Sequence, residues 1–408
     1  MVRFLHTADW QLGMKVKMLG ESADRVREVR LKTARNLIEK TLERSVDFVI
    51  IAGDVFENNA VERHLITRVL EIFEEASRIP IYLLPGNHDP LTPDSIYKGH
   101  LWKSAPNNVF LLDQKRPYPV KELNVILYPC PIEQKVSRLD PTAWIKYEED
   151  ERDKIRIGVA HGALDIEGMV SNPNFPINPR RAEEAGLDYL ALGDWHSLFR
   201  YKGKDGIERT IYSGTPEPTA FDERNSGKAV FVKIEEPGSP PQIEEFESAN
   251  LRWFEWEREI TNPGQIADLR EKIENISEPQ NTLLRIGLRG VADLGAHLRV
   301  NDLRKLGREI LMHFEVETNR FYLKPDIGEI GNMIAGSIFR RTAESLEALM
   351  TRWPLLSQNV DVAPDLAEER LKEIKGVKVA MEADPNVTQH VIQRAVSKLY
   401  EIAKGVKE

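Results

Sequence analysis

Cysteine is nearly absent: Cys130 is the only one in 408 residues, which excludes a disulfide framework and a cysteine-ligated zinc site. Long apolar runs are missing as well. No stretch approaches the ~18 consecutive apolar residues of a membrane-spanning helix, and the opening Met1-Val2-Arg3-Phe4-Leu5-His6 has no signal-peptide apolar core. The expectation is a soluble, cytoplasmic chain without a membrane partner. Positive charge is in deficit, with 56 Lys and Arg against 65 Asp and Glu for a net charge of −9. Taken alone, that argues against a nucleic-acid binder, whose domains tend to be basic. What the chain has is apolar content, 41% of residues, enough to bury a core and to exclude whole-chain disorder. Its length predicts two or three domains.

The first half alternates short apolar runs with amphipathic helices. Strands are expected at 2–5, 46–52, 81–84, 125–128, 155–160 and 189–192. A helix is expected over 21–44, with Val26, Val29, Ala34, Leu37, Ile38 and Leu42 at helical spacing, and another over 61–77. This alternation predicts an α/β sheet, which binds ligands beyond the carboxyl ends of its strands. Antiparallel strands are expected at 229–234 and 242–246. Beyond residue 250 the order strand 254–260, helix 264–276, strand 282–288, helix 301–314 and strand 315–323 predicts a small α/β domain. From 328 onward only helices are expected, at 328–353, 365–375 and 387–403. The last carries an apolar stripe suited to a partner. The expected domains are 1–248, 249–325 and 326–408.

Five polar clusters each follow an expected strand: Asp9-Trp10-Gln11, Gly53-Asp54, Gly86-Asn87-His88-Asp89, His161-Gly162 and Gly193-Asp194-Trp195-His196. A single carboxylate after a strand is usually a turn or cap residue. Five such clusters in order, all of metal-ligand type, are not explained that way.

These clusters resemble the five motifs of the calcineurin-like metallophosphoesterases. The opening His-Thr-Ala-Asp, Gly-Asp-Val-Phe, Gly-Asn-His-Asp and the later Tyr212-Ser213-Gly214-Thr215-Pro216-Glu217 more closely resemble the SbcD-type, or meiotic-recombination-type, DNA repair exonucleases. The resemblance implies a four-layer α/β/β/α sandwich with a small α/β capping domain and a helical tail. It also implies a nuclease in which two divalent cations clamp the phosphate and activate water. Asp54 would bridge the two. Asp9, Gln11 and His196 would complete the first metal position, and Asn87, His161 and Asp194 the second. His88 would face the scissile phosphate, and Asp89 would orient its imidazole. An SMC-like, SbcC-type ATPase partner and a homodimer are implied by the family in the same way.

Two positions depart from the family pattern. Gln11 and Asp194 each stand where it places histidine, so imidazole nitrogen gives way to oxygen. Oxygen-rich sites suit Mn²⁺, or Mg²⁺, over zinc. The expectation is therefore two divalent ions, Mn²⁺ favoured, with a weaker first position. His6, three residues before Asp9 on a strand, is expected to point away or to support the site from behind. The charge objection is local: residues 1–35 carry eight basic against four acidic side chains, and Lys15, Lys17 and Arg25 are candidate phosphate contacts. Two alternatives stay open, a phosphatase or phosphodiesterase of a small molecule or phosphoprotein, and a catalytically weakened DNA-binding or ATPase-anchoring subunit.

Overall fold

The computed structural model describes residues 1–323 apart from 121 and 147. The helices expected from 328 onward, and their docking on a partner, lie outside the described residues. The chain divides into two compact units, Met1–Trp253 and Phe254–Glu408. Among the described residues no helix is long and apolar enough to cross a membrane.

In the first unit, β1 (Val2–Thr7), β2 (Phe48–Ala52), β3 (Ile81–Leu84) and β4 (Val109–Leu111) run parallel to one another. The chain then builds a second sheet from β5 (Tyr118–Val120), β6 (Val125–Cys130), β7 (Ile155–His161), β8 (Tyr189–Gly193), β9 (Phe199–Lys202) and β10 (Glu208–Tyr212). It returns to the first sheet through β11 (Lys228–Ile234) and β12 (Gln242–Glu247). The spatial orders are β12-β11-β1-β2-β3-β4 and β5-β6-β7-β8-β10-β9. β2, β3, β6, β7 and β8 are buried along their whole length, because a parallel strand covered on both faces has no solvent side.

The two sheets face each other across a shared core that includes Phe4, Phe48, Ile50, Leu127, Ile157, Tyr189 and Val230. The outer face of the first sheet is covered by α1 (Ala23–Arg44) and α2 (Arg63–Glu75), through Leu37, Ile38, Val69 and Phe73. The outer face of the second sheet carries the short helix α3 (Arg181–Glu184) and the loops around Ile145, Leu164 and Ile177. These are the four layers, α/β/β/α, with a thin fourth. One residue of the expected α1 stripe fails: Leu42 is exposed near the helix end.

In the second unit β13 (Arg252–Glu259), α4 (Pro263–Glu274), β14 (Thr282–Ala292), α5 (Leu294–Ile310) and β15 (His313–Leu323) follow in turn. They form a three-stranded sheet in the order β13-β14-β15. The second helix starts earlier than the expected 301, because the Asp293 side chain caps it by accepting Ala296 N–H at 2.8 Å. Ala296, Val300 and Leu303 then supply its buried stripe.

Candidate metal centre

Both sheets end their parallel strands at one rim. Immediately after β1, the segment 9–12 runs alongside 53–55, with Asp9 N donating to Gly53 O at 3.1 Å, Gln11 N to Asp54 O at 2.9 Å and Leu12 N to Val55 O at 2.9 Å. Asp9, Gln11, Asp54 and Asp194 all adopt positive φ, at 55°, 43°, 56° and 97°. Left-handed backbone in non-glycine residues is a strained choice that clusters at functional sites, and here it turns each chain back at the end of its strand. Glycines make room for the ligands. A Cβ on Gly53 would lie 2.1 Å from His161 Nδ1, and one on Gly86 would lie 2.1 Å from Asp54 Oδ1.

Ligand atoms of Asp9, Asp54 and His161 lie within 4.8 Å of one another, all buried. His161 Nδ1 sits 2.9 Å from the Ala52 carbonyl oxygen, so it carries the proton and donates. Its Nε2 then faces Asn87 Oδ1 at 2.8 Å, Asp54 Oδ2 at 3.4 Å and Asp194 Oδ1 at 3.8 Å. Asp194 also joins Asp9, by donating its N–H to both Asp9 oxygens at 3.1 Å. Four acceptors thus converge on one point, and only a cation satisfies them together. Burial works against charge on His161, yet Asp54, Asp9 and Asp194 together hold its pKa well above the ordinary histidine value. The donor set of carboxylate, amide and imidazole fits hard divalent ions.

The carboxylates divide the negative charge unequally. Burial pushes Asp9 up to about 7, with the His161 and His196 rings opposing and Asp54 and Asp194 adding repulsion. Burial also raises Asp194. Asp54 is buried as deeply, but His161 and His88 outweigh that effect and hold it below the usual carboxylate range. Asp54 is the fixed negative charge of the centre.

His196 is held from both sides. Its Nδ1 meets Glu223 Oε1 at 2.6 Å, and its Nε2 lies 2.9 Å from Gln11 Nε2. Glu223 also accepts the Thr219 N–H at 2.8 Å and the Thr219 hydroxyl. Burial works upward on Glu223, but its bond to His196 keeps it ionised and below the ordinary glutamate range. Gln11 thus turns its amide nitrogen toward His196 Nε2. An ion at the first position requires that amide to turn and present its oxygen.

His88 N donates to Asp54 Oδ1 at 2.9 Å, and its half-exposed ring lies at the rim. The expected partner of that ring is corrected. Asp89 accepts Gly86 N–H at 2.8 Å, Phe56 N–H at 3.0 Å and the Tyr97 hydroxyl at 2.5 Å. It is buried, pushed up to about 6 by that burial and by Asp54, and it clamps the Asp54 loop to the Asn87 loop. The His88 ring is met by Glu57 instead, whose carbonyl oxygen lies 2.9 Å from Nδ1 and whose carboxylate lies 4.0 Å away.

Lys15 and Lys17 are exposed after the first ligand loop, and Arg25 is exposed at the start of α1. Three other cations of that basic stretch are already engaged. Arg27 pairs with Asp24, and Arg35 with Glu75 at 3.0 Å. Arg30 is buried, donating to Trp10 O at 2.7 Å and to the carbonyls of Glu217 and Pro218 at 2.9 Å. His6 faces away from the ligands, with its Nδ1 2.9 Å from the Tyr189 hydroxyl between the sheets. Glu57, Glu223, Thr219, Tyr97 and Arg30 were not legible in the sequence, because each reaches its partner across the fold without a spacing that marks it.

Comparison with known proteins fits this centre. Residues 2–198 match the family model for calcineurin-like phosphoesterases. The chain is similar to the DNA double-strand break repair protein Mre11 of Methanopyrus kandleri, at 25% identity over 351 residues, 76% of this chain and 72% of that one. It is similar to the SbcD component of the SbcCD nuclease of Bacillus subtilis, at 27% identity over 275 residues, 58% of this chain and 67% of that one. It also resembles the uncharacterised metallophosphoesterase YhaO of the same organism, at 26% identity, and spans about half of that protein, 48%. The matched residues include both parallel strand sets and the ligands at their ends, and through them this chain carries a calcineurin-like phosphoesterase domain.

Proposed function

We propose that this chain is a metal-dependent DNA exonuclease and endonuclease of the double-strand-break repair type. The observation that carries the reading is the convergence of Asp9, Asp54, Asn87, His161 and Asp194 from the ends of both sheets onto one cation-seeking point. The choice of DNA rests on relatives named as a break-repair protein and a nuclease component. Two divalent ions, Mn²⁺ favoured and Mg²⁺ admitted by the same donors, would clamp phosphate oxygens and lower the pKa of water. Asp9, Gln11, Asp54 and His196 would hold one, and Asp54, Asn87, His161 and Asp194 the other. His88 has its Nδ1 occupied by the Glu57 carbonyl, which leaves Nε2 to meet the phosphate and protonate the leaving oxygen. An SMC-like ATPase partner docked by residues 326–408, a homodimer, a capping role for 249–325 and a cytoplasmic setting belong to the same proposal.

The test is turnover of single- and double-stranded oligonucleotides with Mn²⁺, beside a phosphomonoester. Cleavage of DNA that is lost in Asp54→Asn and in His88→Ala is the expected result. Brisk turnover of the monoester with inert DNA would reverse the reading. The Gln11–His196 contact favours a second reading, in which the first position is weak and the chain works slowly or as an anchoring subunit. Mn²⁺ titration by calorimetry should then show two unequal sites, and tight stoichiometric zinc with full activity rules that out.

A further inference from the structure

The loop after β6 holds two apolar side chains out in water. Leu139 is 77% exposed and Val136 is 64% exposed. This is not slack chain, because its backbone is tied along its length to the segment after β7. Ser137 O accepts Phe175 N–H at 2.9 Å, Ser137 N donates to Asn174 Oδ1 at 3.0 Å, and Asn174 Nδ2 donates to Lys135 O at 3.1 Å. Arg138 Nη1 donates to the carbonyls of Asn172 and Pro173 at 2.9 and 2.7 Å. Phe175 and Asn172 accept positive φ, 47° and 65°, in this arrangement. For a buried bulky aromatic that is real strain. Ordering a loop costs conformational entropy that exposed Leu and Val do not recover by burial. A partner surface would recover it.

The loop's position identifies that partner. Phe175 packs against Gly162, where a Cβ would lie 2.3 Å from Phe175 O, and Gly162 directly follows His161. On the other side, Ile132 O accepts Leu91 N–H at 2.8 Å and Ile132 N donates to Pro85 O at 3.3 Å, so the loop's root is bonded to both ends of the segment carrying Asn87 and His88. Lys135 lies near enough to Asp94 for its charge to act there. The loop that carries these two tips and Lys135 is therefore bonded to the segments that adjoin His161 and Asn87. With a phosphodiester at those ligands, the apolar part of the substrate nearby is the face of a base.

Resting on the nuclease reading above, we propose that Val136 and Leu139 form an apolar wedge that packs on the terminal base pair of a duplex and opens it for cleavage. Side chains of this kind are known to unstack base steps when inserted from a rigid element. Single strands and frayed ends, already open, would not need it.

The test compares the full chain with its Val136→Ser, Leu139→Ser double variant, both residues being exposed and outside the ligand set. Rates are read with Mn²⁺ on a blunt duplex, a duplex with mismatched ends, a single strand and bis(p-nitrophenyl) phosphate. The expected result is a loss of about ten-fold or more on the blunt duplex, with the other three substrates within about two-fold. A blunt duplex carrying terminal 2-aminopurine should show a fluorescence rise on binding the wild-type chain that the variant does not produce. Equal rates for both proteins on the blunt duplex would overturn the wedge while leaving the nuclease reading intact. A wild-type protein that turns over the small diester and leaves all DNA uncut would overturn both. A change from dimer to monomer in the double variant, by sedimentation with unchanged duplex selectivity, would assign the tips to a second copy of the chain and overturn the wedge.

Discussion

Glu223 and Gln11 grip one imidazole from opposite sides, and the balance between them sets what His196 can bind. Glu223 fixes the tautomer by accepting the Nδ1 proton at 2.6 Å, which leaves Nε2 as the ligand atom. Glu223→Gln should lower Mn²⁺ affinity at the first position by about 10–100-fold, the usual loss when such a support is removed. Calorimetric titration reads it directly, and the second position should be unchanged. His6 gives a pH effect of its own. Burial drives its pKa down to about 3, against ~6.5 in the unfolded chain. As pH falls below ~6.5 the unfolded chain takes up a proton that folded His6 refuses, so stability is lost toward acid. Asp9, raised to about 7, acts the other way, and its stabilising proton is lost as pH rises from ~4 to ~7. In chelator, the unfolding free energy of wild type relative to His6→Gln should therefore fall between pH 7 and pH 4.5, by on the order of 2–3 kcal/mol. Urea titrations at the two pH values measure it.

At the level of elements, the buried parallel strands were legible because burial on both faces leaves a continuous apolar run, as in Phe48–Ala52 and Ile155–His161. Short strands at the sheet margins were not. Phe199–Lys202 and Val109–Leu111 have no fully buried residue, so their sequences carry neither an apolar run nor a clean alternation. The cluster of Asp9, Asp54 and His161 was legible for a related reason: each lies at or just past a strand end, where such sheets place their polar sites. Their supports were not, because Glu223 and Tyr97 act through contacts that no local pattern announces. Arg30 shows how an element serves the centre from a distance. From α1 its guanidinium ties the carbonyl of Trp10, between Asp9 and Gln11, to those of Glu217 and Pro218. Thr215 adds to that brace, its hydroxyl lying 2.8 Å from Asp9 O and 2.7 Å from Glu217 O. Arg30→Met keeps the bulk and strands the buried carbonyls, for a cost of about 2–4 kcal/mol. A lower urea midpoint should show it, with Mn²⁺ affinity falling alongside because the Asp9 loop loses its backing.

For the whole molecule, a net charge of −9 and the proposed DNA substrate are reconciled by where the charges lie. The buried carboxylates of the centre become attractive to phosphate once cations fill it, while most arginines near the basic stretch are already spent on partners within the chain, as Arg27, Arg30, Arg35 and Arg68 show. Within residues 1–35 that leaves Arg3, Lys15, Lys17, Arg25 and Lys32 as exposed cations. Binding should accordingly need divalent metal, and its dependence on monovalent salt should be shallow, since each phosphate neutralised contributes about −0.9 to the slope of log K against log salt. Lys15 and Lys17, both exposed beside the first ligand loop, are placed to contribute. Replacing both with Ala should flatten the slope by about 1.8 and weaken binding equally for all sequences. Fluorescence anisotropy of a labelled duplex over a salt series, with Asp54→Asn in the background to prevent cutting, measures both quantities. An unchanged slope would remove those two lysines from the DNA path and leave the metal centre itself as the main electrostatic attraction.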